Sequence, residues 1–328
     1  MPRFDLPLHE LRNYLPQRDE PMDFDDFWKT TLAGASSYPL DATFDEVDAG
    51  YSQLVTEDVT FAGHGGDPVR GWMLRPRHVK GPMPVVVTFI GYGGGRSLPG
   101  EWTAIPSAGV AHFVMDLRGQ GAGHRPGDTP DGAVGGPHVG GHLTQGIESE
   151  ENYYYRRLFT DSVRAVQAAQ SHPAVDPEQV LLSGGSQGGG ICLAASALAP
   201  VILDHPPMAA IIDVPFLAHI RRATEIVDTQ PYSELVRYLG MRRGQEERVF
   251  RTLSYFDGVN FAARSTLPAL FSVGLLDAVC PPSCVYAAYN HYAGPKEMNV
   301  FSYNGHENGG PFQQAEHIRF IRETFRMP

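Results

Sequence analysis

The sequence predicts an α/β fold, with a mostly parallel central sheet, helices on both faces and a helical cap insertion. Three observations carry that expectation. From residue 84 onward, short β-branched runs alternate with stretches of helical periodicity. Residues 84–90, Pro-Val-Val-Val-Thr-Phe-Ile, form a nearly continuous apolar run, the mark of a strand buried on both faces. Residues 180–199 join an apolar strand directly to an Ala- and Leu-rich helix through Gly184-Gly185-Ser186-Gln187-Gly188.

Composition narrows the class. A chain of 328 residues with 42% hydrophobic residues can bury one large core. A formal net charge of -11 and the absence of any Lys/Arg cluster argue against a nucleic-acid surface. The first 20 residues alternate charged residues and prolines with no apolar h-region, and no apolar run elsewhere is long enough to span a bilayer. Three cysteines, odd and sparse, are not a disulfide framework, so Cys280 and Cys284 read as buried free thiols, against the alternative of a redox or metal pair, and the cytoplasm is the expected compartment.

Along the chain, residues 23–29 open a helix with acids in its first turn, part of a helical arm over about residues 1–50. Residues 57–61 and 69–74 read as an antiparallel hairpin at the sheet edge, with His64 in its turn. The central strand at 84–90 leads into Gly91-Tyr92-Gly93-Gly94-Gly95, whose glycines let backbone N–H groups approach a ligand; no Gly-Lys-Ser/Thr follows to make it a phosphate cradle. A strand at 111–116 precedes Arg118-Gly119-Gln120-Gly121 and a Gly-, Pro- and His-rich loop to Gly146. His138 and His142 in that loop are expected to be solvated rather than metal-bound, because no partner has ligand spacing. A helix follows over 150–171, then the strand, elbow and helix around Ser186, a strand at 208–213, a helical insertion over about 215–256, a strand at 267–274, a helix from Pro281 to Tyr292, a strand at 299–303 and a closing amphipathic helix at 312–325. With no Ser/Pro-rich linker and no repeat, one domain over 1–328 is expected.

Gly184-x-Ser186-x-Gly188 at a strand-to-helix junction has a physical reading. The turn strains the serine backbone and leaves no room for Cβ atoms beside it, so Ser186 Oγ stands free at a helix N-terminus. A serine hydroxyl needs a base and an orienting acid. In open α/β sheets these lie past the carboxyl ends of strands, where Asp277 and His306 are placed, each one to three residues beyond a predicted strand. The order Ser186, Asp277, His306 is that of an α/β-hydrolase; Asp213, also at a strand end, competes for the acid. The oxyanion would be held by the backbone N–H groups of Gln187 and Tyr92, and the Tyr92 ring either walls the acyl pocket or packs. His306-Glu307 lacks the second histidine of a zinc motif, so neither metal nor cofactor is expected.

Arg118-Gly119-Gln120-Gly121, Gly184-Gly185-Ser186-Gln187-Gly188 and His306-Glu307 together resemble the three-part signature of carbohydrate esterase family seven, the acetyl xylan esterases and cephalosporin C deacetylases. The likeness extends through residues 153–157 and 254–261 and covers the chain from about residue 20 onward. It implies an α/β-hydrolase that removes acetyl groups from acetylated xylo-oligosaccharides and cephalosporin C-like esters, with Ser186, Asp277 and His306 as triad and Tyr92 and Gln187 as oxyanion donors. It further implies an intracellular homo-oligomer, typically a hexamer with its active sites on an internal tunnel. Arg118 and Gln120 are expected to hold the loop near the triad. The loop at 132–146 departs from the family pattern in its glycines and histidines. Rival readings are a general carboxylesterase, a lactone hydrolase or a peptidase on the same fold, and a non-catalytic binding module.

Overall fold

The computed structural model describes residues 4–132 and 134–327. Among them, nine strands form one sheet: β1 (Thr43–Val47), β2 (Leu54–Ala62), β3 (Pro68–Pro76), β4 (Met83–Phe89), β5 (Ala111–Met115), β6 (Val175–Gly185), β7 (Ala209–Asp213), β8 (Ala269–Gly274) and β9 (Lys296–Phe301). Their order is β1-β2-β3-β5-β4-β6-β7-β8-β9. The pairs from β1 to β3, and β3 with β5, are antiparallel, and every pair from β5 across to β9 is parallel.

The helices are α1 (Leu8–Leu11), α2 (Phe24–Ser36), α3 (Ala104–Ser107), α4 (Tyr154–Ser171), α5 (Gln187–Ile202), α6 (Ile220–Ile226), α7 (Tyr232–Met241), α8 (Glu246–Ser254), α9 (Gly258–Ala262), α10 (Pro282–His291) and α11 (Pro311–Thr324). They cover both faces of the sheet, and the alternation of side chains along each strand explains how. Val85, Val87, Leu182, Ile212 and Phe271 point into the larger core, with residues of α2, α4, α5, α9 and α10. Val86, Leu181, Ile211 and Leu270 point the other way, into a smaller core closed by Phe320 and Ile321 of α11 and flanked by Ile105 of α3. The aromatic spacing of α2 brings Trp28 against Phe256 and Phe261, and its indole N–H donates to Tyr255 O at 3.0 Å. Trp28 is buried, so truncating it would cost about 3–5 kcal/mol.

Three sequence expectations need correction. The hairpin of β2 and β3 is not at the sheet edge, because β1 pairs outside it along Thr43↔Thr60 to Val47↔Thr56. β9 begins earlier than residue 299 and ends at Phe301, so His306 lies five residues past the strand, in a turn, rather than within three. His142 is fully buried, its ring 5.6 Å from that of Tyr92 and 5.1 Å from that of Tyr154, and not solvated. Burial and the neighbouring His138 push its pKa down to about 4, so it is neutral at pH 7.

Candidate active site

β5 lies on one side of β4 and β6 on the other, so the chain reverses its direction of winding at β4 and a crevice opens at the carboxyl ends of these strands. The loop after β4 carries Tyr92 and the turn after β6 carries Ser186. Ser186 has φ 57° and ψ -123°, a backbone region that side chains other than glycine's rarely adopt. The strain is held from three sides: Ser186 N donates to Asp213 O at 3.0 Å, and Ser186 O accepts from Gly190 N at 3.1 Å and Phe216 N at 2.9 Å. A Cβ on Gly184 would stand 2.1 Å from Gly188 O, and one on Gly188 would stand 2.2 Å from Phe89 O. The glycines therefore let α5 start directly against β4 and β6.

Asp277 follows β8 and is fully buried. Its Oδ1 accepts from Val279 N at 2.8 Å and Cys280 N at 2.9 Å, which aims Oδ2 at His306 Nδ1, 2.9 Å away. Glu307 braces the histidine turn by accepting from Asn304 Nδ2 at 2.9 Å and Gly305 N at 3.0 Å. His306 is about one-third exposed and shares one cavity of about 1070 Å³ with Ser186 and Tyr92. Asp277 and the Gln187 side chain are fully buried and are not among the residues that line the cavity. Gln187 is the first residue of α5, so its N–H has no partner within the helix. Cys280 is buried; burial and Asp277 push the thiol pKa well up, so it stays protonated.

Asp213 belongs to a different group. Its Oδ1 accepts from Ser272 Oγ at 2.5 Å and Gln313 Nε2 at 2.8 Å, and its Oδ2 lies 2.6 Å from His317 Nε2 on α11. It does not pair with His306, whose Nδ1 meets Asp277. Burial is the largest single influence on the His317 pKa and lowers it, but the charge of Asp213 and its contact with the ring together outweigh burial and leave the pKa raised.

Gln120 acquires a definite position. Its Oε1 accepts from Gly93 N at 2.6 Å, and its Nε2 donates to Gln187 Oε1 and Tyr154 Oη, both at 2.9 Å. One buried amide thus ties the loop after β4 to the start of α5. Tyr92 is fixed at its other end: its Oη donates to Glu234 Oε2 at 2.8 Å and accepts from His142 N at 3.0 Å. Burial and Glu234 raise its pKa, so the phenol is un-ionised. Arg118, also buried, bonds Asp161 through Nε at 2.5 Å and Nη2 at 2.8 Å, and reaches Asp67 at 3.0 Å. Sequence reasoning missed His317 and Glu234; a signal for His317 was its helical spacing from Gln313, which places both on one face of α11.

A family model described as acetyl xylan esterase (AXE1) matches residues 1–324. The acetyl xylan esterase from Paenibacillus sp. R4 shares 39% identity, with 97% of this chain and 99% of that one covered and a TM-score of 0.88. Acetyl xylan esterase 1 from Thermoanaerobacterium sp. JW/SL YS485 shares 30% identity over 98% of this chain and 100% of that one, also with a TM-score of 0.88. Acetyl esterase Axe7A of Xylanibacter ruminicola is 27% identical over an alignment of 309 positions that covers 89% of this chain and 64% of that relative's length.

Proposed function

The chain belongs to the acetyl xylan esterase family, and from that premise we propose that it is a serine esterase that removes acetyl groups from small acetylated substrates, xylo-oligosaccharides and cephalosporin C-like esters, through an acetyl-enzyme. The observation that carries the proposal is the strained Ser186 sharing a cavity with a histidine whose far nitrogen is held by a buried, backbone-anchored aspartate. His306 Nε2 takes the Ser186 proton as Oγ attacks the acetyl carbonyl. The tetrahedral oxyanion is received by the N–H groups of Tyr92 and Gln187. His306 then gives the proton to the leaving alcohol oxygen as the C–O bond breaks. Water, deprotonated by the same nitrogen, attacks the acetyl-enzyme and releases acetate and free Ser186. Asp277 keeps Nδ1 protonated throughout and stabilises the imidazolium.

The proposal includes a homo-oligomer, a hexamer by the family resemblance, in the cytoplasm. Cys192, Cys280 and Cys284, all buried free thiols, suit a reducing compartment. Among the described residues no helix is long and apolar enough to cross a membrane.

The acyl-length series of p-nitrophenyl esters tests the substrate class. The Tyr92 ring is pinned between Glu234 and Phe216, so each added methylene must displace packed side chains, at about 1–3 kcal/mol or roughly one to two decades in rate. A steep fall in kcat/KM from acetate to butyrate is expected. A flat or rising profile would replace the acetyl esterase with a general carboxylesterase.

A further inference from the structure

The cavity that holds Ser186 contains a second acid–histidine pair, Asp213 and His317, that the reaction above does not use. Asp213 comes from the end of β7 and His317 from α11. The imidazole Nε2 is buried 2.6 Å from Asp213 Oδ2, an ion-pair contact and not an aligned hydrogen bond, yet the side chain as a whole is 22% exposed and lines the cavity. With Nε2 turned toward the carboxylate, the ring's other polar atom is Nδ1. Asp213 is the charged group that faces the ring, and it favours the imidazolium, in which Nδ1 carries a proton to donate. Ser272 from β8 and Gln313 from α11, the other partners of Asp213, are neutral and hold the carboxylate in place.

The position of this pair fits the alcohol half of the substrate. An acetyl group has two carbons, whereas a cavity of about 1070 Å³ is of the size that encloses a whole drug-sized ligand, so most of its wall faces the alcohol. His306 hands its proton to the leaving oxygen, which places the alcohol on the His306 side. α11 starts five residues after His306, and Gln314, His317 and Ile318 of that helix line the same cavity as His306.

Building on the acetyl esterase reading, we propose that His317 is a specificity-determining residue: its imidazole, oriented by Asp213, donates a hydrogen bond to a hydroxyl or ring oxygen of the leaving alcohol and so selects polyhydroxylated alcohols over apolar ones of the same size. A site built to pair with a substrate oxygen discriminates against the analogue that lacks it, because its own donor is then left unpaired.

The test compares monoacetylated xylose with cyclohexyl acetate, two six-membered-ring alcohols with and without hydroxyls, in the wild type, His317→Leu and His317→Gln. His317→Leu removes the donor but leaves Asp213 without its counter-ion. His317→Gln keeps an amide N–H for Asp213 and has no second nitrogen to offer the cavity, so it carries the test if the leucine variant does not fold. The ratio of kcat/KM for the sugar ester to that for cyclohexyl acetate should fall about tenfold in the folded variants, with the loss in KM of the sugar ester. A ratio within about twofold of the wild type, or an equal proportional loss on both esters through kcat, overturns the proposal and leaves His317 a brace for the Ser186 turn. A wild type inactive on both esters would instead overturn the acetyl esterase reading, and this proposal with it.

Discussion

In Asp277→Asn, the structure dictates which way the new amide must face. Asp277 Oδ1 accepts two backbone N–H groups, from Val279 at 2.8 Å and Cys280 at 2.9 Å, and Oδ2 meets His306 Nδ1 at 2.9 Å. An amide nitrogen cannot accept, so the asparagine carbonyl must take the Oδ1 position. The opposite orientation would leave two N–H donors facing an NH₂ group, at about 1–3 kcal/mol each, or about 2–6 kcal/mol together. The NH₂ therefore points at His306 Nδ1 and turns it into an acceptor, which moves the imidazole proton to Nε2. A histidine protonated there cannot take the Ser186 proton. The expected result is a fall in kcat of about 10⁴, equivalent to about 5.5 kcal/mol, with KM for p-nitrophenyl acetate changed little. Steady-state kinetics with that ester, and a melting curve to show that the fold is retained, make the measurement. A fall smaller than about tenfold would refute the assignment. So would a greater loss in Asp213→Asn, since Asp213 serves His317 and the Ser186 turn instead of His306.

Two other predictions follow from buried networks. Gln120→Leu deprives Gly93 N–H of its partner and the Gln187 amide of one of its partners, Tyr155 Oη remaining, so kcat should drop about tenfold or more with little change in KM, because the two proposed oxyanion donors lose their common tie; a lowered melting temperature with kcat intact would make Gln120 purely structural. The Asp213–His317 pair raises the histidine pKa in the folded state, so its stabilisation is fully present below the ordinary value of 6.5 and is lost as pH rises through the raised folded value. The melting-temperature difference between wild type and His317→Gln should accordingly shrink as pH rises above that range, and a difference that grows would reverse the sign of the argument.

How much of this was legible in the sequence depends on how local each cause is. The turn at Ser186 was readable because the crowding that demands Gly184 and Gly188 arises within a few residues of the serine. Asp277 was readable because strand β8 is a strong apolar run and the acid stands three residues past it. The exposed strand β1 was not, since its five residues, Thr-Phe-Asp-Glu-Val, owe their conformation to pairing with β2 and not to an apolar pattern of their own. The burial of His142 results from packing on Tyr92 and Tyr154, from other segments, while its own neighbourhood of glycines and prolines reads as solvated loop. Gln120 and Gln187 are 67 residues apart, and His317 meets an aspartate that sequence spacing offered as a rival for His306. Such partnerships follow from strand order and helix placement, which no local pattern contains.

The central claim is that Ser186 carries the acetyl group during turnover. A rapid quench of the enzyme during hydrolysis of p-nitrophenyl acetate, followed by peptide mass spectrometry, tests it most directly. The account predicts a single acetyl group on the peptide that contains Ser186, absent in Ser186→Ala, whose residual rate should fall to about the 10³–10⁴ enhancement over water that binding and the oxyanion donors supply on their own. Acetyl on another residue, or turnover in Ser186→Ala close to that of the wild type, would contradict it.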